Sequence, residues 1–325
     1  MFPSFWETMS TNFVYGNYVV TYFGAIVDMY AKRGLIIKAQ DVLEELPVRD
    51  VVSWNIMING CVQNEQNNKA LSVYERMQSE GLTPDSITFI LILKACSSIG
   101  LIENGEEIHE KLLRRGLLEN DIVLSTALVD MYAKCGALEK AQQVLEGLFA
   151  RDSICWNALI TGYTQQGHDQ EALNCFKQME NEGLSPNGIT YLSSSKACGN
   201  LGAMEKGKQI HDQIWSRNFI EKDIVLGNSL VDMYAKCGML DKAQKTLEDQ
   251  SNRNVITWSA IIFGYVQHGQ SHDAPDSFIR MQNEGLSPYV ITFICTVKAF
   301  VIMGAIYKGK QIHDEVVKRK LLEKI

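Results

Sequence analysis

A chain of 325 residues with 46% hydrophobic residues and only six prolines suits packed helices and is too apolar for a disordered tail. Its net charge of −7 and isoelectric point near 5.5 argue against a wholly basic nucleic-acid-binding surface, while leaving room for a locally basic groove. The longest apolar runs fall well short of the roughly 20 residues a membrane span needs, so no membrane partner is expected.

The stretch Val129 to Gly136 returns as Val231 to Gly238 and, with one change, as Val27 to Gly34. Trp54, Trp156 and Trp258 keep the same step of 102 residues (156 − 54 = 258 − 156 = 102), as do Pro84, Pro186 and Pro288, and His109, His211 and His313. Such fixed spacing marks a tandem array, which governs how every local motif is read. Each block divides into units of 31, 35 and 36 residues, giving 20–50, 51–85, 86–121, 122–152, 153–187, 188–223, 224–254, 255–289 and 290–325. Residues 1–19 read as a degenerate partial repeat, so the chain is expected to begin inside an array. The first basic residue is Lys32, and neither a transit peptide nor a secretion signal is predicted ahead of it.

In chain order, each unit is expected to form two helices. In 51–85, Trp54, Met57, Ile58 and Cys61 recur at i, i+3, i+4 and i+7, the apolar stripe of one helix. Unit 86–121 has Phe89, Ile92, Leu93 and Cys96, then Gly105, Ile108 and Leu112 on a second helix. Unit 122–152 has Leu128, Met131 and Tyr132, then Leu138, Ala141, Val144 and Leu145. In 153–187, Trp156, Leu159, Ile160 and Tyr163 precede a polar turn at Gln166-Gly167 and a second stripe at Ala172, Phe176 and Met179. Gly183 and Pro186 close that helix, since glycine accepts the left-handed conformation and proline cannot continue a helix. An isolated helix pair cannot bury both stripes, so neighbours must stack. The expected fold is all-α, a superhelical solenoid of helix-turn-helix repeats with first helices on one surface and second helices on the other. Pro275 replaces Leu71 and Leu173 in the third 35-residue unit, where it is tolerable only in the first helical turn, and that unit is expected to be the less stable.

The eight cysteines include no C-x-x-C pair and are expected to be buried free thiols in a reducing compartment. His313-Asp314-Glu315 fits the H-x-E of a zinc deaminase, yet no P-C-x-x-C follows, and His109 and His211 hold the same repeat position without the glutamate. The match is read as an accident of the repeat. Without a phosphate-binding glycine loop, H-E-x-x-H or G-x-S-x-G, the chain is expected to have no catalytic residue, metal or cofactor.

The strings Ser-Trp-Asn-Ile-Met-Ile-Asn-Gly (53–60), Cys-Trp-Asn-Ala-Leu-Ile-Thr-Gly (155–162), Met-Gln-Ser-Glu-Gly-Leu-Thr-Pro-Asp (77–85), Lys-Ala-Cys (94–96), Gly-Lys-Gln-Ile-His (207–211) and Leu-Val-Asp-Met-Tyr-Ala-Lys-Cys-Gly (128–136) resemble pentatricopeptide repeats rather than peptide-binding tetratricopeptide repeats. The alternating lengths resemble the P-L-S subclass of plant organelle RNA-editing factors. The resemblance covers residues 20–325. It implies single-stranded RNA as partner, one base per repeat, running 5′ to 3′ alongside the chain and read by the fifth residue of the first helix and the last residue of the repeat.

On that analogy Asn55 with Asp85 resembles a uracil reader, Thr126 with Asp152 a guanine reader, and Asn157 with Asn187 and Asn228 with Asn254 pyrimidine readers. Val52, Val123, Ile154 and Val225 resemble residues that sandwich bases between repeats. Ile90 with Asp121, Leu192 with Asp223 and Ile294 with Ile325 cannot hydrogen-bond a base through the fifth side chain, and Gly24 with Asp50 and Ser259 with Tyr289 are off-pattern. Read without the resemblance, the Asn and Asp residues are helix caps and turn formers. Lys94, Lys196 and Lys298 stand four residues after the fifth position, within reach of phosphates or simply solvated, whereas Lys134 and Lys236 are spaced to pair with Asp130 and Asp232. The resemblance further implies selection of transcript sites in a mitochondrion or chloroplast for C-to-U editing or other processing, with a deaminase appended or supplied in trans. The alternative is a protein- or peptide-binding scaffold, favoured by the acidic charge and the apolar fifth residues.

Overall fold

A computed structural model of the protein describes residues 13–46, 48–119, 121–148, 150–219 and 223–318. Among these are eighteen helices and no strand. The first helices of successive pairs are α1 (Phe13–Lys32), α3 (Val51–Gln63), α5 (Ser86–Ile99), α7 (Ile122–Lys134), α9 (Ser153–Gln165), α11 (Gly188–Leu201), α13 (Ile224–Lys236), α15 (Val255–Gln267) and α17 (Val290–Ile302). The second helices are α2 (Ile36–Glu44), α4 (Asn67–Ser79), α6 (Ile102–Arg114), α8 (Leu138–Gly147), α10 (Asp169–Asn181), α12 (Met204–Ser216), α14 (Leu240–Glu248), α16 (Asp273–Asn283) and α18 (Ile306–Lys318). None of these helices is long and apolar enough to cross a membrane.

The chain divides into two compact units, Met1–Gly162 and Tyr163–Ile325. In the first, α3 packs on α1 and α5, α5 on α7, and each second helix lies against the first helix of its own pair. In the second, α13 packs on α11 and α15, and α15 on α17, with α12, α14, α16 and α18 each against the first helix of its own pair. The first helices therefore supply most of the core: Trp54, Phe89, Tyr132 and Trp156 in one unit, and Tyr191, Trp258 and Phe293 in the other, are all buried. All eight cysteines are free, six of them are buried, and burial pushes the thiols of Cys96 and Cys198 up to about 12.

The starts of the first helices are set by side chains. Asp50, Asp85, Asn187 and Asn254 hold extended backbone and accept from the N–H three residues on, while the hydroxyls of Ser53, Thr88, Thr190 and Thr257 accept from the cap residue's own N–H. These reciprocal boxes satisfy two orphan donors each. The helix ends at Gly100 and Gly202 turn through left-handed backbone (φ 70° and 66°), which glycine adopts without a Cβ clash.

One boundary differs from the sequence reading, while Pro275 lies in the first helical turn, where that reading allows it. Helix α1 has 20 residues where α7 and α13 have 13, and it runs through the boundary placed at residue 20. Val19 stands where Asp121 and Asp223 cap α7 and α13, so nothing there stops a helix propagating from Phe13. Residues 1–12 of the degenerate segment lie outside the described residues, as does Ile325. Pro275 is absorbed by a later start: α16 begins at Asp273, two residues after the position matching Asn67 and Asp169, and has 11 residues instead of 13. Proline is then the third residue of the helix, where its missing N–H has no intrahelical partner to lose.

Close approach of successive first helices depends on small residues. A Cβ built on Gly60 of α3 would lie 2.4 Å from Ala31 Cβ of α1, and one on Gly264 of α15 2.7 Å from Ala235 Cβ of α13. Alanine for glycine in a helix ordinarily stabilises by about 1 kcal/mol. Gly60→Ala is instead expected to destabilise, by about 1–3 kcal/mol through overpacking. Gly147→Ala, whose Cβ would meet nothing within 4 Å, is expected to be neutral or stabilising. Urea unfolding followed by circular dichroism checks this, and equal behaviour of the two variants would contradict the contact.

Candidate nucleic-acid interface

On each first helix the second, fifth and ninth residues fall on one face at i, i+3 and i+7. At the second position stand Val52, Ile87, Val123 and Ile154 in the first unit, and Ile189, Val225, Ile256 and Ile291 in the second. All eight are β-branched and between 53% and 65% exposed. Single exposed apolar side chains are commonplace. The same exposed residue class, however, stands at the same turn of four first helices in each unit. The sequence reading names Val52, Val123, Ile154 and Val225 but not Ile87, Ile189, Ile256 and Ile291, which hold the same position in other units. The second position of the repeat, read through every unit, finds them.

At the fifth position Asn55, Asn157 and Asn228 sit deeper and are buried. Asn55 is 7% exposed. Its Nδ2 donates to Asp85 Oδ1 at 3.0 Å, and its Oδ1 accepts from Thr88 Oγ1 at 2.7 Å. Asp85 Oδ1 also accepts from Thr88 N–H at 2.8 Å, so one carboxylate oxygen both caps α5 and orients the amide. Burial works to raise the Asp85 pKa, but the Thr88 N–H, the Asn55 amide and the Thr88 hydroxyl outweigh it and hold the carboxyl below its ordinary value.

The other pairs are built differently. Thr126 Oγ1 donates to Ile122 O at 2.7 Å and lies 2.8 Å from Cys155 Sγ, while Asp152 Oδ1 caps α9 by accepting from the N–H groups of Ile154 and Cys155. Among the described residues Thr126 and Asp152 are thus not joined by a hydrogen bond. Asn228 Oδ1 accepts from the Thr257 hydroxyl, and it is Thr257, not Asn228, that bonds Asn254 Oδ1. Asn157 is buried at the fifth position of α9, and Asn187 caps α11. Ile90 and Leu192 hold the fifth position with no polar group, and Ile294 there is exposed. Tyr289 is exposed where the seven preceding units end in Asp or Asn.

Lys94, Lys196 and Lys298, at the ninth position, are exposed, and among the described residues none makes an ion pair. Lys134 and Lys236, by contrast, pair with Asp130 at 2.7 Å and Asp232 at 2.8 Å. The second helices carry a separate feature. His109 Nδ1 lies 2.9 Å from the Tyr132 hydroxyl in a cleft of about 640 Å³, and His211 Nδ1 lies 2.7 Å from the Tyr234 hydroxyl in a smaller one. Among the described residues no cluster of His, Cys, Asp and Glu is arranged to hold a metal ion.

A fold of stacked helix pairs with a repeated face on its first helices defines the class of tandem helical-repeat proteins. The PPR repeat family matches residues 49–98 and 151–200, and the PPR repeat itself matches residues 22–51, 87–117, 123–151, 228–249 and 256–286. The chain belongs to the PPR repeat family. It is 35% identical over 297 residues to the chloroplastic pentatricopeptide repeat-containing protein At1g11290 of Arabidopsis thaliana, covering 91% of this chain and 36% of that protein. It is 34% identical over 305 residues to the mitochondrial protein At3g02330 of the same plant, covering 88% of this chain and 33% of that protein. The chain thus spans about a third of the length of these relatives. Among solved structures it is similar to the pentatricopeptide repeat protein PPR10 in complex with an 18-nt psaJ RNA element (TM-score 0.72, 19% identity, 94% of this chain and 46% of that one). The likeness establishes a solenoid of helical repeats as the fold.

The Asp85 carboxyl gives a signed expectation. Its folded pKa lies below the ordinary 3.8, so the stability it contributes is complete above that value and is lost as pH falls through the folded pKa. Asp85→Asn keeps a capping side chain without the titration. The variant is expected to be somewhat less stable than the parent at pH 7 and to lose less stability on going to pH 3, measured by urea unfolding at both pH values.

Proposed function

We propose that the chain binds single-stranded RNA along its first-helix face, one base per helix pair, with the exposed apolar residues at the second position stacking between bases and the fifth residue addressing a base edge. The observation that carries this reading is the Asn55–Asp85 contact beside the exposed Val52, a polar amide fixed in orientation at the foot of an apolar shelf. With its oxygen on Thr88 and one N–H on Asp85, Asn55 keeps one N–H donor for a base. That donor suits uracil O4, where cytosine presents an amino group instead. Thr126 and Asp152 keep acceptors, which suit the N1–H and amino donors of guanine. Asn157 with Asn187 and Asn228 with Asn254 serve as pyrimidine readers, and the units of Ile90 and Leu192 contribute stacking without hydrogen bonding. Lys94, Lys196 and Lys298 contact phosphate, adding affinity that is blind to sequence.

The alternation of 31, 35 and 36 residues supports membership in the P-L-S subclass. Chloroplastic and mitochondrial relatives support an organellar transcript as the target. In this reading the repeats select a site for C-to-U editing or other processing without catalysing it, and a deaminase acts from an appended segment or in trans. The competing reading, a peptide-binding scaffold, is favoured by the cleft of about 640 Å³ around His109 on the second-helix side.

The test is a single substitution read on defined RNAs. Thr126→Asn is expected to shift the preferred third base of a U-N-G-pyrimidine RNA from guanine toward uracil, with discrimination of about 1–3 kcal/mol by analogy with bidentate base contacts in duplex DNA. Fluorescence anisotropy with RNAs differing only at that base measures the shift. Indifference to that base in both parent and variant would contradict the assignment, and binding without preference at any position would favour the scaffold.

A further inference from the structure

The contact between Asn55 and Thr88 recurs where the fifth side chain is polar. Asn228 is held by the Thr257 hydroxyl, Ser259 Oγ lies 2.7 Å from Thr292 Oγ1, and Thr126 Oγ1 lies 2.8 Å from Cys155 Sγ. In each case the partner is the third residue of the next first helix, and Thr88, Cys155, Thr257 and Thr292 are all fully buried. Asn157 is followed in sequence by Thr190 at that place. Where the fifth residue is apolar, at Ile90 and Leu192, the next unit supplies Leu124 and Leu226 instead, both buried. Where it is Gly24, with no side chain to hold, the Ser53 hydroxyl donates to Asp50 O at 2.8 Å. The chemistry of the third residue thus follows that of the fifth residue one unit back.

We propose that this buried third residue is a positioning residue for base recognition, which fixes the orientation of the preceding unit's fifth side chain and so decides whether a donor or an acceptor faces the base. This rests on the RNA-reading function proposed above. The energetic logic is plain at Asn55. With the Thr88 hydroxyl accepted by Oδ1, the amide can turn only its N–H groups toward Asp85 and the base. Without that hydroxyl the buried Oδ1 loses its donor, and the Asp85 carboxylate alone is left to hold the N–H toward the base, so the amide is fixed less firmly. A donor favours uracil O4 and an acceptor favours the cytosine amino group, so removal of the hydroxyl relaxes uracil-over-cytosine preference rather than abolishing binding. At Ser259 the third residue has the greater share of this task, because Tyr289 at the cap position gives the serine no carboxylate.

The capping role of Thr88 is shared by any residue that accepts from Asp85 N–H, so the test reads base preference rather than stability alone. The full chain and its Thr88→Val, Thr88→Ser and Thr88→Cys variants are titrated with U-N-G-pyrimidine RNAs and with copies bearing cytosine at the first base. Thr88→Val is expected to lose about threefold to tenfold of the uracil preference at that base alone, the range of one neutral hydrogen bond. The guanine preference two bases on is expected to be unchanged, Thr88→Ser to keep the parent's ratio, and Thr88→Cys to fall between. A Thr88→Val protein that melts earlier yet keeps the parent's uracil preference overturns the proposal and leaves Thr88 a cap only. If the valine variant does not fold, the ratio for Thr88→Cys decides, and parity with the parent overturns the proposal. A parent indifferent to the first base overturns this proposal together with the base-reading assignment, whereas parent discrimination with an unchanged variant overturns this proposal alone.

Discussion

The side-chain caps that begin α3, α5, α7, α9, α11, α13 and α15 fix the rest of the candidate site. Asp85 shows why: its Oδ1 accepts from the Thr88 N–H to begin α5 and from the Asn55 amide on α3. One oxygen thereby ties the register of one helix to the side-chain geometry of its neighbour. A cap lost by substitution with alanine costs about 1 kcal/mol in an ordinary helix. Here it would also release a nearly buried amide, so helix stability and the orientation of Asn55 are coupled at the same atom.

Packing between first helices sets how closely such caps can follow one another. Gly264 against Ala235 lets α13 and α15 approach, and the same two helices are joined by the Asn228–Thr257 contact. Large side chains such as Trp54 and Trp258 fill the layer between first and second helices, where Arg76 of α4 and Arg280 of α16 lie over their rings. The exposed β-branched residues at the second position have a short reach and restricted χ1, which gives a stiff shelf at little entropic loss on contact.

Much of this was legible in the sequence because the array repeats itself. The stripe containing Trp54, Met57, Ile58 and Cys61 is buried in α3, and Lys134 pairs with Asp130 as its four-residue spacing indicates. What was not legible depends on contacts between units. No spacing rule ties Asn55 to Thr88, 33 residues on, and none places the Thr126 hydroxyl on Ile122 and Cys155 instead of Asp152. The extension of α1 through residue 20 follows from a missing cap at Val19, and the late start of α16 from Pro275; both are visible once the position is compared with its repeat equivalents. The exposed Ile87, Ile189, Ile256 and Ile291 needed only the same comparison carried through every unit.

The central claim is that readable and silent units alternate along one strand of RNA in the order of the chain. Selection from a fully randomised single-stranded RNA pool, followed by sequencing of the bound fraction, tests it directly. The account gives an enriched motif of uracil, any base, guanine, pyrimidine, any base and pyrimidine, read 5′ to 3′. The two blanks fall at the units of Ile90 and Leu192. An enriched motif with information at those two positions, or no enrichment at all, would contradict it.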